Sequence, residues 1–360
     1  MLEALKDHYD ITLFHADGVD LAAVNRFYGT SLRPDNFRII SANPLVRAIG
    51  SLDSDRGSIQ VLSYMMRVVR RIRHRYDLVL GTDDTDLGGS PALLYMHYPY
   101  LEDFWRKYQD SRVGLTGLVQ GRTRPWVLLS GFSLDRFRQN VVLANSDWTG
   151  HRIADAYGVP SRTVYPPVTE CPYSLPWKDR EDAFVAVGML TPNKRMDWIV
   201  ETLASVKKAY PRLRIYLAGG VCERIGGHEF HGRLRAIVDT NRDWVTLHED
   251  LSRDELLRLL GRCRYAIHAM HNEHFGIAPA EALMAGCIPF VHDSGGQVEI
   301  VGRDPRVCYQ DDDAALRIQR VLGDAEIQRE LRTSFANRRD RFTSTRFMRE
   351  IRDAVALAMP

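Results

Sequence analysis

The sequence predicts an α/β protein of two doubly wound parallel sheets, with a first domain over 1–170 and a second over 183–340. Three observations carry this expectation. From residue 183 onward, short runs rich in branched apolar residues alternate with helical segments, the pattern of strands buried on both faces and joined by helices. The first half repeats the alternation less regularly. The chain of 360 residues also exceeds the roughly 250–300 at which a single core stops growing.

In chain order, LEALKDHY reads as a helix and DITLFHA as a strand. SIQVLSYMMRVVRRIRHR is helical, DLVLGT, PALLYMHYP and NVVLANS are strands, and WTGHRIADAYG is a helix. A doubly wound domain normally opens with a strand and a glycine-rich turn, so the initial helix leaves that first strand missing. RTVYPPVTECPYSLPWKDRED holds four prolines and a charged end. Its composition suits a semi-rigid linker, placed at 171–182. Then AFVAVG, LRIYLAG, WVTLHED, YAIHAM, IPFVHD and VCYQ read as strands. The helices KRMDWIVETLASVKKAY, GRLRAIVDT, RDELLRLLGRC and PAEALMAG fall between them. TRFMREIRDAVALAMP is an amphipathic helix within 341–360, expected to pack back towards the first domain. Two such domains facing each other across a cleft would surround one ligand with the carboxyl ends of both sheets.

A net charge of +2 provides no global field for nucleic acid. Cys171, Cys222, Cys263, Cys287 and Cys308 show no CxxC spacing, which argues for reduced thiols in a cytoplasmic protein. No apolar run approaches the roughly 18 residues of a membrane span, and no signal-peptide pattern is present. The expected location is cytoplasmic, free or at a membrane surface. Arg67, Arg70, Arg71, Arg73 and Arg75, with His74, crowd one helix whose other face carries Leu62, Met65, Val69 and Ile72. That face is either merely solvated or rests on anionic headgroups.

The stretch HNEHFGIAPAEALMAG, residues 271–286, puts Glu273 and Glu281 on either side of a glycine and a proline. Pro279 suits the first position of a helix and Gly286 its C-terminal cap. Free N–H groups at the helix start would bind an anion such as a diphosphate, and Gly276 would let the backbone approach it closely. Glu281, expected in the first turn, would accept hydrogen bonds from a ribose diol. Glu273 would accept them from sugar hydroxyls on the other side of the phosphates. A glutamate in a first turn is also favoured by the helix dipole alone, so the pair and its setting carry the argument.

HNEHFGIAPAEALMAGCIPFVHDSGGQVEIV resembles the E-x7-E region of the retaining GT-B glycosyltransferases. NEHFGI and YMHYPY most resemble the members that extend a dolichol-linked oligosaccharide with mannose. LANSDWTG, VYPPV, VGMLTPNKR, LAGG and SGGQVEIV stand in the family's order, so the resemblance runs over most of the chain. It implies a GT-B fold of two Rossmann-like domains. It also implies a donor site that includes His274, Phe275, Gly276, Ile277 and Ala278, with Ser294, Gly295 and Gly296 lining the nucleotide and Glu299 in a structural role. By the same resemblance Lys194 contacts the donor diphosphate. The partner arginine five residues earlier is replaced by Met189, which leaves Arg195 as a substitute. His97, after an apolar strand, would sit near the reacting sugar.

Metal chemistry is not expected. Asp84-Thr85-Asp86 has the form of a DxD motif, but aspartates at strand ends are common turn residues. His268, His271 and His274 straddle a strand end and a loop, a poor frame for zinc. The expected activity is transfer of a hexose, mannose from GDP-mannose being favoured, to a glycan or lipid-linked hydroxyl with retention and without cofactor. A uridine-donor glucosyl- or N-acetylglucosaminyltransferase, or a catalytically silent nucleotide-sugar-binding partner subunit, are the alternatives.

Overall fold

The computed structural model describes residues 1–15, 19–41, 57–82, 85–87, 92–99, 130–221 and 227–359. Within these residues the chain divides into two units, Met1–Tyr165 with Phe347–Pro360, and Pro166–Arg346. Cys222 and Asp84 lie outside the described residues.

The elements run in order α1 (Leu2–Leu5), β1 (Ile11–His15), α2 (Leu21–Tyr28), β2 (Phe37–Ser41), α3 (Gly57–Ile72), β3 (Val79–Gly81), β4 (Ala92–Met96), α4 (Leu134–Phe137), β5 (Val141–Ala144), α5 (Asp147–Tyr157) and β6 (Arg162–Thr163). The second unit holds β7 (Glu181–Val187), α6 (Met196–Lys207), β8 (Arg214–Gly219), α7 (Gly227–Thr240), β9 (Val245–Glu249), α8 (Arg253–Arg262), β10 (Cys263–His268), α9 (Ile277–Ala285), β11 (Ile288–His292), α10 (Gln297–Ile300), β12 (Cys308–Tyr309), α11 (Ala314–Leu322) and α12 (Ala325–Ala336). The final helix is α13 (Ser344–Ala358).

In the first unit β3-β4-β5-β6 form a parallel sheet, and β1 pairs in parallel with β2 in a separate two-stranded sheet. Side chains alternate across β4 with period two. Leu93 and Tyr95 join a core with Ala4 and Leu5 of α1 and with Phe347, Ile351 and Val355 of α13. Leu94 and Met96 point the other way, onto Ile153 and Tyr157 of α5. The opening helix is shorter than the sequence suggests, and the FRIIS strand, β2, had no clear alternation to betray it.

Asp86 is fully buried and bound by Arg136, whose Nη2 lies 2.6 Å and Nε 3.0 Å from Oδ2. Arg70 turns inward to the same carboxylate, 3.7 Å away, and donates to the carbonyls of Asp86 and Ser130. Arg70 is therefore corrected from the basic surface face to an internal ion pair. A buried carboxylate needs cations, and this one takes two.

The second unit is a six-stranded parallel sheet in the order β12-β11-β10-β7-β8-β9. The order reverses between β7 and β10, so loops leaving those two strands diverge at a topological switch point, where ligands of such sheets bind. Ala282, Ala285 and Cys287 pack with Ala183, Val185 and Ala266 beneath α9, and small side chains let helix and sheet approach closely. Every residue of α9 from Pro279 to Ala285 is buried. The expected linker, 171–182, lies against this unit. Arg180 donates to the carbonyls of Leu175, Cys263 and Ala285, and Ser174 Oγ also donates to Ala285 O. These bonds satisfy carbonyls that the ends of α8 and α9 leave open.

Candidate functional site

Lys194 and Glu273 stand 79 positions apart and meet at the switch point. After β7 the chain makes a short turn, Pro192–Lys194, and Arg195 takes a left-handed backbone, φ 54°, before α6 begins. Lys194 Nζ reaches Glu273 Oε2 at 2.5 Å and lies 3.2 Å from Met270 Sδ. His268, the last residue of β10, brings Nε2 to 3.0 Å from the same oxygen. Both contacts fall on Oε2. Oε1 is left as an acceptor for a ligand hydroxyl.

Burial works to raise the Glu273 carboxyl. The His268 hydrogen bond and the neighbouring Lys194 charge outweigh it and hold the group below the usual carboxylate range. Burial pushes the His268 imidazole down, so the ring sits neutral against the carboxylate and donates to it.

The loop carrying Glu273 is fixed by the segment after β11. Gln297 Nε2 donates to Met270 O at 2.7 Å, and Ser294 Oγ accepts from Asn272 N at 2.8 Å. Gly296 N donates to Glu273 O at 2.7 Å. Gly295 has φ 74°, and a Cβ there would fall 2.3 Å from Glu273 O. The glycines thus serve to let two backbones touch.

Two details of α9 differ from expectation. The helix begins at Ile277, with Gly276 as its N-cap at φ 100°, so Pro279 is the third residue and Glu281 lies in the second turn. Proline is tolerated there because the first four N–H groups of a helix have no partner within it. The first helical bond runs from Ala280 N to Gly276 O, 3.1 Å. The N–H groups of Ile277 and Ala278 precede it. Glu281 is buried, and Oε1 lies 2.5 Å from Arg253 Nη1. Burial raises its carboxyl despite Arg253.

Arg195 does not join Lys194. Its guanidinium binds Asp311 with two contacts of 2.9 Å and lies over the Trp198 ring at 4.6 Å. Met189 is exposed. His274 is half-buried, and Phe275 is buried with its ring 5.9 Å from Phe342. Glu299 is buried in α10, where its carbonyl accepts from Arg338 Nη2 at 2.6 Å. The three histidines weighed for zinc separate: His268 serves Glu273, and His271 faces Asp311. His97 belongs to the first unit, exposed after β4, with its ring edge-on to Tyr95 at 5.2 Å. Sequence reasoning missed His268 as Glu273's partner, and also Arg253, Gln297 and Asp311. Arg253 gave a signal: an arginine at the start of a helix opposes the dipole and implies a carboxylate nearby.

Residues 169–339 match the family described as glycosyl transferases group 1. The match takes in most of the second unit, Pro166–Arg346. The GDP-Man:Man(3)GlcNAc(2)-PP-Dol alpha-1,2-mannosyltransferase of Dictyostelium discoideum is 26% identical over 292 residues, covering 72% of this chain and 58% of that protein. The chain thus spans a little over half the length of that relative, and about half that of the relatives of the same name from Neurospora crassa and Homo sapiens. Among solved structures, Anabaena HepE in complex with UDP and glucose superposes with a TM-score of 0.67 at 15% identity, covering 99% of this chain and 94% of that one. Sucrose-phosphate synthase from Thermosynechococcus elongatus gives 0.65 at 15% identity, covering 99% and 90%. The fold is the GT-B fold, two Rossmann-like domains in one chain.

Proposed function

We propose that this chain is a retaining mannosyltransferase that moves mannose from GDP-mannose to a hydroxyl of a lipid-linked saccharide. The observation that carries the reading is the Lys194–Glu273–His268 cluster at the switch point, three residues before the Gly276 cap of α9. The relatives' names support the donor and the acceptor.

In this reading the donor diphosphate lies over the Ile277 and Ala278 N–H groups, with Gly276 and the Ser294–Gly296 turn alongside. Lys194 stabilises the charge that grows on the phosphate as the sugar leaves. Glu273 accepts a sugar hydroxyl through Oε1, and Glu281 accepts the ribose diol. The acceptor oxygen attacks the anomeric carbon on the face the diphosphate leaves, and the departing phosphate oxygen takes its proton. The step needs no metal ion. The exposed arginines of α3, Arg71 above all, and Arg75 just beyond it rest on anionic headgroups where the lipid-linked acceptor is presented.

A thermal-shift panel of GDP-mannose, UDP-glucose and UDP-N-acetylglucosamine, followed by assay of nucleoside diphosphate release, tests this. GDP-mannose should stabilise the protein and yield GDP slowly. Stabilisation by a uridine donor instead would overturn the donor. The diversion of Arg195 to Asp311, with Met189 at the other cation position, favours one rival, a silent binding partner. Binding without GDP release would establish it.

A further inference from the structure

Three neighbouring strands each deliver one ligand-type side chain to a single point outside the Glu273 cluster. His271 follows β10, His292 is the last residue of β11, and Asp311 follows β12. These strands are adjacent in the sheet, so their carboxyl ends place the three groups side by side. One ligand atom each from His271, His292 and Asp311 lies within 4.8 Å of the other two. His271 Nε2 is 3.3 Å from Asp311 Oδ1, and His292 Nε2 is 3.8 Å from it.

His292 is buried, and its Nδ1 lies 2.8 Å from Ser294 Oγ. That oxygen also accepts from Asn272 N. A hydroxyl has two lone pairs, so it can take both N–H groups. In the tautomer with the proton on Nδ1, the ring donates to Ser294 and Nε2 is bare towards His271 and Asp311. Such an outer hydrogen bond is how a metal-binding imidazole is usually held in tautomer and orientation. The convergent atoms already attract a cation: Arg195 donates to His271 Nε2 and to both Asp311 oxygens.

We propose that His271, His292 and Asp311 form a site for a divalent transition metal of the zinc class, in competition with the Arg195 guanidinium. Two imidazoles and one carboxylate suit zinc, with a fourth position for water. The ion replaces Arg195 on Asp311 and releases the guanidinium beside Lys194. The site takes no part in sugar transfer as proposed above and does not rest on that reading.

Titration of the metal-free full chain with Zn²⁺ by calorimetry, and with Co²⁺ by visible absorption, tests the proposal. One equivalent should bind, with the intense cobalt bands of a four-coordinate site. His271→Ala and Asp311→Asn should each weaken binding by about tenfold or more. Both side chains are exposed, and their unfolding without metal should match the parent; where one does not, His271→Gln takes its place. Arg195→Met should tighten metal binding severalfold. Absence of stoichiometric binding, or equal binding by the His271 and Asp311 variants, overturns the site. Unchanged or weaker binding by Arg195→Met overturns the competition.

Discussion

Glu273 and Glu281 both flank FGIAPA, yet each spends its charge on a partner the local sequence does not name. Glu273 faces Lys194 and His268, and Glu281 faces Arg253, because a carboxylate drawn out of water needs a cation or strong donors. Lys194→Ala leaves Glu273 with only a neutral imidazole. It should lower stability by about 3 kcal/mol in urea titration, and turnover by roughly a hundredfold. The Glu273 carboxyl is lower in the folded than in the unfolded chain, so its contribution exists above the unfolded value and fades as pH falls. Between about pH 6 and pH 3 the wild type should therefore lose stability more steeply than Glu273→Gln, measured by urea midpoints. Equal slopes would mean that Glu273 is not held ionised. Glu281→Ala should raise the donor dissociation constant about tenfold, the worth of one hydrogen bond to a charged group. Unchanged binding would remove the ribose contact.

The helix that ends in Gly286 was evident from its composition, since a segment apolar all round must be buried. Its start was not. Pro279 signalled a first position, but the left-handed Gly276 allows the helix to begin two residues sooner. A Cβ on Gly276 would lie 2.8 Å from Pro279 Cγ and 3.2 Å from Gln297 Cβ. Gly276→Ala should thus cost roughly 1–3 kcal/mol, from the strained backbone alone. Gly295→Ala should cost a similar amount and also weaken donor binding, because its Cβ would push the Glu273 backbone off the Ser294–Gly296 turn. Thermal unfolding of both variants with and without donor checks this; donor affinity unaltered in Gly295→Ala would detach that turn from the site.

Across the chain, the alternation of strands and helices from residue 183 predicted six strands in sequence, and all six are present. Their spatial order, with β7 beside β10, is what brings the 188–195 and 269–276 loops together. The basic helix was visible as five arginines on one stretch, but Asp86 recruits Arg70 inward. Charge reversal is therefore best tried on the exposed positions. Arg71→Glu with Arg75→Glu should weaken binding to phosphatidylserine vesicles, read by co-sedimentation, roughly thirtyfold or more at low salt, each charge being worth about 1 kcal/mol. Arg70→Ala should instead lower the unfolding midpoint. Undiminished sedimentation of the double variant would leave α3 merely solvated. No described helix is long and apolar enough to cross a membrane.

Residue order alone was enough for the six strands of the second unit, the four helices called between them and the acidic pair around FGIAPA, because these follow from local periodicity and backbone freedom. It could not say which cation answers which carboxylate, nor that Arg195 turns to Asp311 while Lys194 turns to Glu273. Those choices depend on which strand ends become neighbours in the sheet, and that is fixed only when distant segments pack together.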